Sequence, residues 1–155
     1  MYKRILVPAD GSATSLKALE SAIGLAKEFG GQIRVIHVLE QLAFLSLDPY
    51  ASYSADVLKV VQESGEKIAS DAVALVKNAG VAVDSQVIDK FGALLGDAVA
   101  EAAKAWPADL IVLGTHGRRG VGRLLMGSGA EQVIRLAPVP VLVIRADDAA
   151  PAQAH

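Results

Sequence analysis

The sequence predicts the α/β class: one domain built on an open, parallel, five-stranded sheet with helices on both faces. Three observations carry this expectation. Five short runs of strand character recur along the chain, at Ile5–Val7, Ile33–Leu39, Val81–Ile88, Leu110–Leu113 and Val139–Ile144. The stretches between most of them space their apolar residues by three and four, as one face of a helix requires. The 155 residues, 52 per cent of them hydrophobic, suffice for a single proper core. Alternating strands and helices imply a parallel sheet wound right-handedly. The expected strand order is 3-2-1-4-5 and the expected domain spans residues 1–146.

The first run, Ile5 to Val7, is continuous and apolar, which suits a strand buried on both faces. It ends at Pro8. The loop Pro8-Ala9-Asp10-Gly11-Ser12 follows, with Ser12 well suited to cap a helix. Leu16, Leu19, Ile23 and Ala26 mark that helix, and Gly30-Gly31 closes it. The second strand, Ile33 to Leu39, leads into a segment from Glu40 to Ser54 that loses all period. A loop of this length is either a flap packed on its own core or a ligand lid. Leu58, Val61, Gly65, Ile68, Ala72, Leu75 and Ala79 then form a long core-facing stripe, stopped by Gly80. The third strand alternates at Val81, Val83, Ser85 and Val87. Leu95, Ala98, Ala102 and Ala105 mark the next helix, which Pro107 ends. Asp109 leads into the fourth strand. A short helix is expected from Gly129 to Ala137, broken by Pro138. Pro140 sits near the start of the fifth strand, where a missing donor is tolerated. Residues 147–155 are expected to be a disordered tail.

Composition excludes several classes. There is no cysteine, so disulfides, thiol nucleophiles and Cys-based zinc sites are ruled out. A net charge of −2 gives no support to a nucleic-acid-binding surface. No apolar run approaches the ~20 residues that cross a bilayer. The expected setting is soluble and cytoplasmic, without nucleic acid or membrane partners. His37 and His116 lack metal-ligand spacing and read as structural.

The chemistry concentrates between Gly114 and Ser128. Gly114, Gly117 and Gly127-Ser128 follow a strand and precede a helix, with Arg118, Arg119 and Arg123 among them. Glycine lets a ligand approach the main chain, and a helix N-terminus supplies N–H groups and partial positive charge. The stretch therefore reads as a phosphate cradle, most readily for ATP. Plainer accounts exist for each part. Ser128 with Glu131 matches a capping box, the glycines can be turns, and Asp10 can cap the first helix. In doubly wound sheets, ligands bind beyond the carboxyl ends of strands where the order reverses. Strands one and four would flank that crevice and bring Asp10 to the glycines.

These residues resemble the universal stress protein family, in its ATP-binding branch. The likeness runs from residue 2 to about 145. It rests on Ile5-Leu-Val-Pro-Ala-Asp10-Gly-Ser12, on His37-Val38 and on Asp109-Leu-Ile-Val-Leu-Gly114. It rests above all on Gly114-x2-Gly117-x9-Gly127-Ser128, followed by Pro138-Val-Pro-Val-Leu-Val143. The resemblance implies a Rossmann-like sheet of the adenine nucleotide alpha hydrolase type. It implies that Pro8, Ala9 and Val38 line an adenine pocket and that Leu113 and Gly114 approach base and ribose. Asp10 would lie near ribose and phosphates. Gly117, Arg118, Gly127, Ser128 and Gly129 would hold the phosphates. Mg2+ would accompany ATP mainly through the phosphates, with Asp10 as the candidate protein contact.

A regulatory ATP-binding module in the stress response is the expected function. The alternative is a slow ATP hydrolase or autophosphorylating enzyme using the same site, for which Asp10 is the single acidic candidate. A phosphorylation receiver is disfavoured because Asp10 has no acidic neighbour and the fifth strand ends in Arg145. No Gly-x-Gly-x-x-Gly follows strand one and no Walker lysine motif is present. The apolar fifth strand, taken as 139–145, would lie at a bare sheet edge and is expected to pair two copies as a homodimer.

Overall fold

Ile5, Leu6 and Val7 are all fully buried, so strand β1 (Arg4–Pro8) has no face turned to water. That fixes the architecture, because layers must cover it on both sides. The structure is a computed structural model and describes residues 1–39, 55–115 and 126–145. The described elements follow in the order β1, α1 (Ala13–Phe29), β2 (Gln32–Val38), α2 (Ala55–Asn78), β3 (Ala82–Ile88), α3 (Leu95–Ala105), β4 (Leu110–Gly114), α4 (Ser128–Leu136) and β5 (Val141–Ile144). The five strands are parallel and ordered β3-β2-β1-β4-β5, as expected.

Successive strand residues point to opposite faces, and two cores result. Ile5, Val7, Ile33, Val35, Leu110 and Val112 pack against Ala18, Leu19, Ala22 and Ile23 of α1 and against Ala72 and Val76 of α2. Leu6, Ile36, Ile111 and Leu113 pack on the other side against Val99, Ala102 and Ala103 of α3 and Ala130 and Val133 of α4. Leu16, expected in the stripe of α1, is instead exposed. The buried face of that helix turns through Thr14, Ser15, Ala18, Leu19, Ala22, Ile23 and Ala26.

The local signals decide most boundaries. The Ser12 hydroxyl accepts from Ser15 N at 3.1 Å and caps α1. Gly30, at φ +61, ends it in the left-handed conformation open to glycine. The fifth strand begins at Val141 and not at Val139. Proline has no N–H to give the ladder, so at Pro140 only the carbonyl takes part, accepting from Ile111 N at 3.0 Å. The capping box, the plainer account of Ser128 and Glu131, does not form. Gly127 occupies the cap position, Ser128 is the first helical residue, and no side chain caps α4. Glu131 does not reach back; it pairs with Arg135 one turn on, at 3.1 Å.

Two polar links brace the amino end of the sheet. Arg34 holds Asp84 through two bonds of 2.6 and 2.7 Å and stacks on Trp106, 4.9 Å from the ring centroid. The bond to Asp84 raises the Arg34 guanidinium pKa above its ordinary value, with partial burial opposing it. The Asp109 carboxylate accepts from Lys3 N at 2.8 Å and Arg4 N at 3.2 Å, while Asp109 N donates to Arg4 O at 2.9 Å. One aspartate thus ties the start of β4 to the start of β1. Asp109→Ala leaves two strand N–H groups without that acceptor and should cost about 1–2 kcal/mol of stability. Urea denaturation checks it: the midpoint should fall with the slope unchanged.

Candidate functional site

The carboxyl end of β1 passes into Ala9 and Asp10 with its backbone already engaged. Ala9 N donates to Ile36 O at 2.8 Å, and His37 Nδ1 lies 2.7 Å from Ala9 O. Asp10 N donates to Ser15 Oγ at 3.2 Å, and Ser12 N donates to Asp10 Oδ1 at 2.9 Å. With Ser12 capping α1, the loop is a closed set of bonds between β1 and the first turn of that helix. Gly11 at φ +79 permits the reversal. Asp10 is therefore not the helix cap; it orders the residue that is.

Across the sheet, β4 ends at Gly114 directly beside β1. A Cβ on Gly114 would lie 2.6 Å from Thr14 Cγ2 and 3.0 Å from the Thr14 carbonyl carbon. The glycine lets the first turn of α1 sit on the strand end. Beyond it, Thr115 N donates to Ile144 O at 2.9 Å and Gly127 N donates to Thr115 O at 2.8 Å. This second bond brings the uncapped start of α4 back to the end of β4.

Asp10 from the first loop and Gly114, Gly127 and Ser128 from the fourth thus belong to one end of the sheet, where strand order reverses between β1 and β4. Pro8, Ala9, Val38 and Leu113 occupy the same ends of β1, β2 and β4, with Ala9, Val38 and Leu113 buried. Gly129 has a packing duty of its own, since a Cβ there would lie 2.8 Å from Leu95 Cδ2 on α3. Gly117 and Arg118, with Arg119, Arg123, His116, the 40–54 segment and the tail, lie outside the described residues. Among the described residues no group of three or more His, Asp or Glu side chains gathers to hold a metal ion. A groove of ≈ 410 Å3 lies elsewhere, between β3 and α3, and none of the predicted site residues lines it. Its walls include Phe91, Leu94 and Ile88.

The universal stress protein family model matches residues 1–145, nearly the whole chain. The chain belongs to the universal stress protein family. A universal stress protein of Methanocaldococcus jannaschii is 34% identical over 145 residues, covering 94% of this chain and 83% of that one. The crystal structure of a universal stress protein from Burkholderia pseudomallei matches with a TM-score of 0.74 at 29% identity, over 94% of this chain and 97% of that one. Another universal stress protein, solved in complex with cAMP, matches with a TM-score of 0.65 at 28% identity, over 92% and 97% of the two chains. No described helix of this family member is long and apolar enough to cross a membrane.

Sequence reasoning missed Thr14 and Ser15, and took Gly65 only as part of the core-facing stripe of α2. Thr14 and Ser15 are buried and polar and support the loop from α1. Nothing in helical spacing marks them, because their partners are Gly114, a hundred residues on, and the backbone N–H of Asp10 in the loop before the helix. Gly114→Ala should lower stability by roughly 1–3 kcal/mol, the usual cost of overpacking. Adding Thr14→Ala removes the clash with Cγ2 and should recover part of the loss, while the contact with the Thr14 carbonyl carbon remains. Thermal melts of the two variants beside the parent check both halves.

Proposed function

We propose that this universal stress protein is a cytoplasmic regulatory module that binds ATP at the carboxyl ends of β1 and β4. One observation carries the reading: an ordered Asp10 loop and a helix N-terminus without a side-chain cap both stand at the end of the sheet where strand order reverses. Helix N–H groups and the helix dipole favour an anion there. The glycine spacing supports the same ligand, and Gly117 and Arg118 would complete the phosphate contacts with Gly127, Ser128 and Gly129. Pro8, Ala9, Val38, Leu113 and Gly114 would receive adenine and ribose. The relative solved with cAMP supports an adenine nucleotide as the ligand class. Mg2+ would be held through the phosphates, with Asp10 as the protein's candidate contact. Asp10 commits one carboxylate oxygen to Ser12 N, so its first role is to order the loop, and the regulatory reading is preferred to hydrolysis.

The test is a thermal melt with Mg-ATP, AMP and cAMP. At 100 times its dissociation constant, ATP should add about 2.7 kcal/mol of stability. No shift with millimolar Mg-ATP sinks the assignment, and a shift with cAMP alone changes the ligand. Gly127→Val should abolish the shift while the protein still folds, and Asp10→Ala should weaken affinity more than stability.

We also propose that β5 pairs two copies. Among the described residues it is bonded on one side only, to β4, and its Leu142 is 37% exposed. An apolar edge with unpaired N–H and C=O groups invites a second strand, and two-fold symmetry closes the contact. Sedimentation should give a dimer at micromolar concentration, with Val141→Lys and Val143→Lys running as monomers. A monomeric parent refutes the pairing, and dimeric lysine variants move it to another surface.

A further inference from the structure

We infer that His37 is a positioning residue for the nucleotide loop, holding the peptide unit between Ala9 and Asp10 in one orientation. The inference rests on the ATP-binding reading and goes beyond it, because it assigns a role in affinity to a side chain outside the glycine motif. His37 Nδ1 lies 2.7 Å from Ala9 O. A carbonyl oxygen only accepts, so Nδ1 carries the proton and donates. The N–H of the same peptide unit belongs to Asp10 and donates to Ser15 Oγ at 3.2 Å. One peptide is therefore gripped at its oxygen from β2 and at its nitrogen from α1. Rotating it would break both bonds and carry Asp10 away from the place where its carboxylate accepts from Ser12 N.

The other side of the ring supports the same role. Gly65 lies in the interior of α2, buried against the end of β2. A Cβ on it would lie 2.9 Å from His37 Cδ2, 3.3 Å from His37 Nε2 and 2.5 Å from Leu39 Cδ2. Leu39 is itself buried and has little room to yield. Glycine inside a helix is less favourable than alanine by about 1 kcal/mol, and here it leaves the space in which the ring sits. Helix α2 thus backs the ring and β2 carries it. The ring in turn sets the entrance to the loop that we assign to ribose and phosphate.

Asparagine places its amide nitrogen close to where His37 Nδ1 stands, whereas phenylalanine keeps a ring and loses the donor. The experiment measures ATP affinity by calorimetry and folding by thermal melt for the parent, His37→Asn, His37→Phe and Gly65→Ala. In parallel, long-range 1H–15N NMR of the parent's imidazole rings reads which nitrogen of His37 carries the proton. Loss of one hydrogen bond of this kind should weaken ATP binding by about tenfold in His37→Phe. His37→Asn should stay within about threefold of the parent, on the same scale. Gly65→Ala should weaken binding although no atom of that residue lies in the cradle, and the NMR should show the proton on Nδ1. A parent that binds while His37→Phe binds equally well, or a neutral ring protonated at Nε2, overturns the inference and leaves the ATP assignment standing. A parent that binds no nucleotide overturns the assignment and the inference together.

Discussion

The burial of β1 on both faces is the constraint on which the rest depends. A strand with no wet face can present chemistry only at its ends. Its backbone groups are taken by β2 on one side and β4 on the other. Parallel winding then sends every strand's carboxyl end in the same direction, and the helices that follow begin there. Polar side chains that would be costly in the core find partners at that end. The side chains of Ser12, Ser15 and Asp10 accept from backbone N–H groups within their own loop there. The site is thus a consequence of the sheet as well as of its own motif.

Close approach is the second recurring feature, and it changes how glycine should be read. Gly114 admits Thr14, Gly65 admits His37 and Leu39, and Gly129 admits Leu95. Gly96 admits Gln132, whose side-chain oxygen also accepts from Gly96 N at 3.4 Å. The last two pairs lock the start of α3 to the start of α4. A glycine in the motif therefore answers to two demands at once, the packing of helices and the approach of a ligand. Substitutions at Gly129 act on both, while Gly127, an extended residue ahead of the helix, is the cleaner probe of the cradle.

Strand order, helix faces and the caps at Ser12 and Gly30 were legible because each has a local cause: a continuous apolar run, a period, a hydroxyl or a left-handed turn. That Asp10, Gly114 and Gly127 stand at one end of the sheet follows from the strand order. The capping box weighed as the plainer account of Ser128 and Glu131 fails because spacing does not say which residue turns first. Gly127 took that position. Leu16 misled because a stripe of three and four leaves its width open. His37 was read as structural because it lacks metal-ligand spacing, and its carbonyl partner Ala9 O carries no sequence signature. Gly117, a motif position, and Arg118 beside it lie outside the described residues, and the proposed phosphate contacts there rest on the sequence pattern.

The two edges of the sheet differ in a way that bears on pairing. Strand β3 exposes Ala82, Asp84, Ser85 and Gln86, and Asp84 is engaged by Arg34 from β2. Charged and polar side chains keep such an edge in water. Strand β5 reads Val-Leu-Val-Ile and has no such guard. The apolar edge is also the one joined to the cradle. Ile144 O, at the end of β5, accepts from Thr115 N, and Thr115 O accepts from Gly127 N at the start of α4. Two hydrogen bonds thus connect the strand proposed to pair copies with the helix end proposed to hold phosphate.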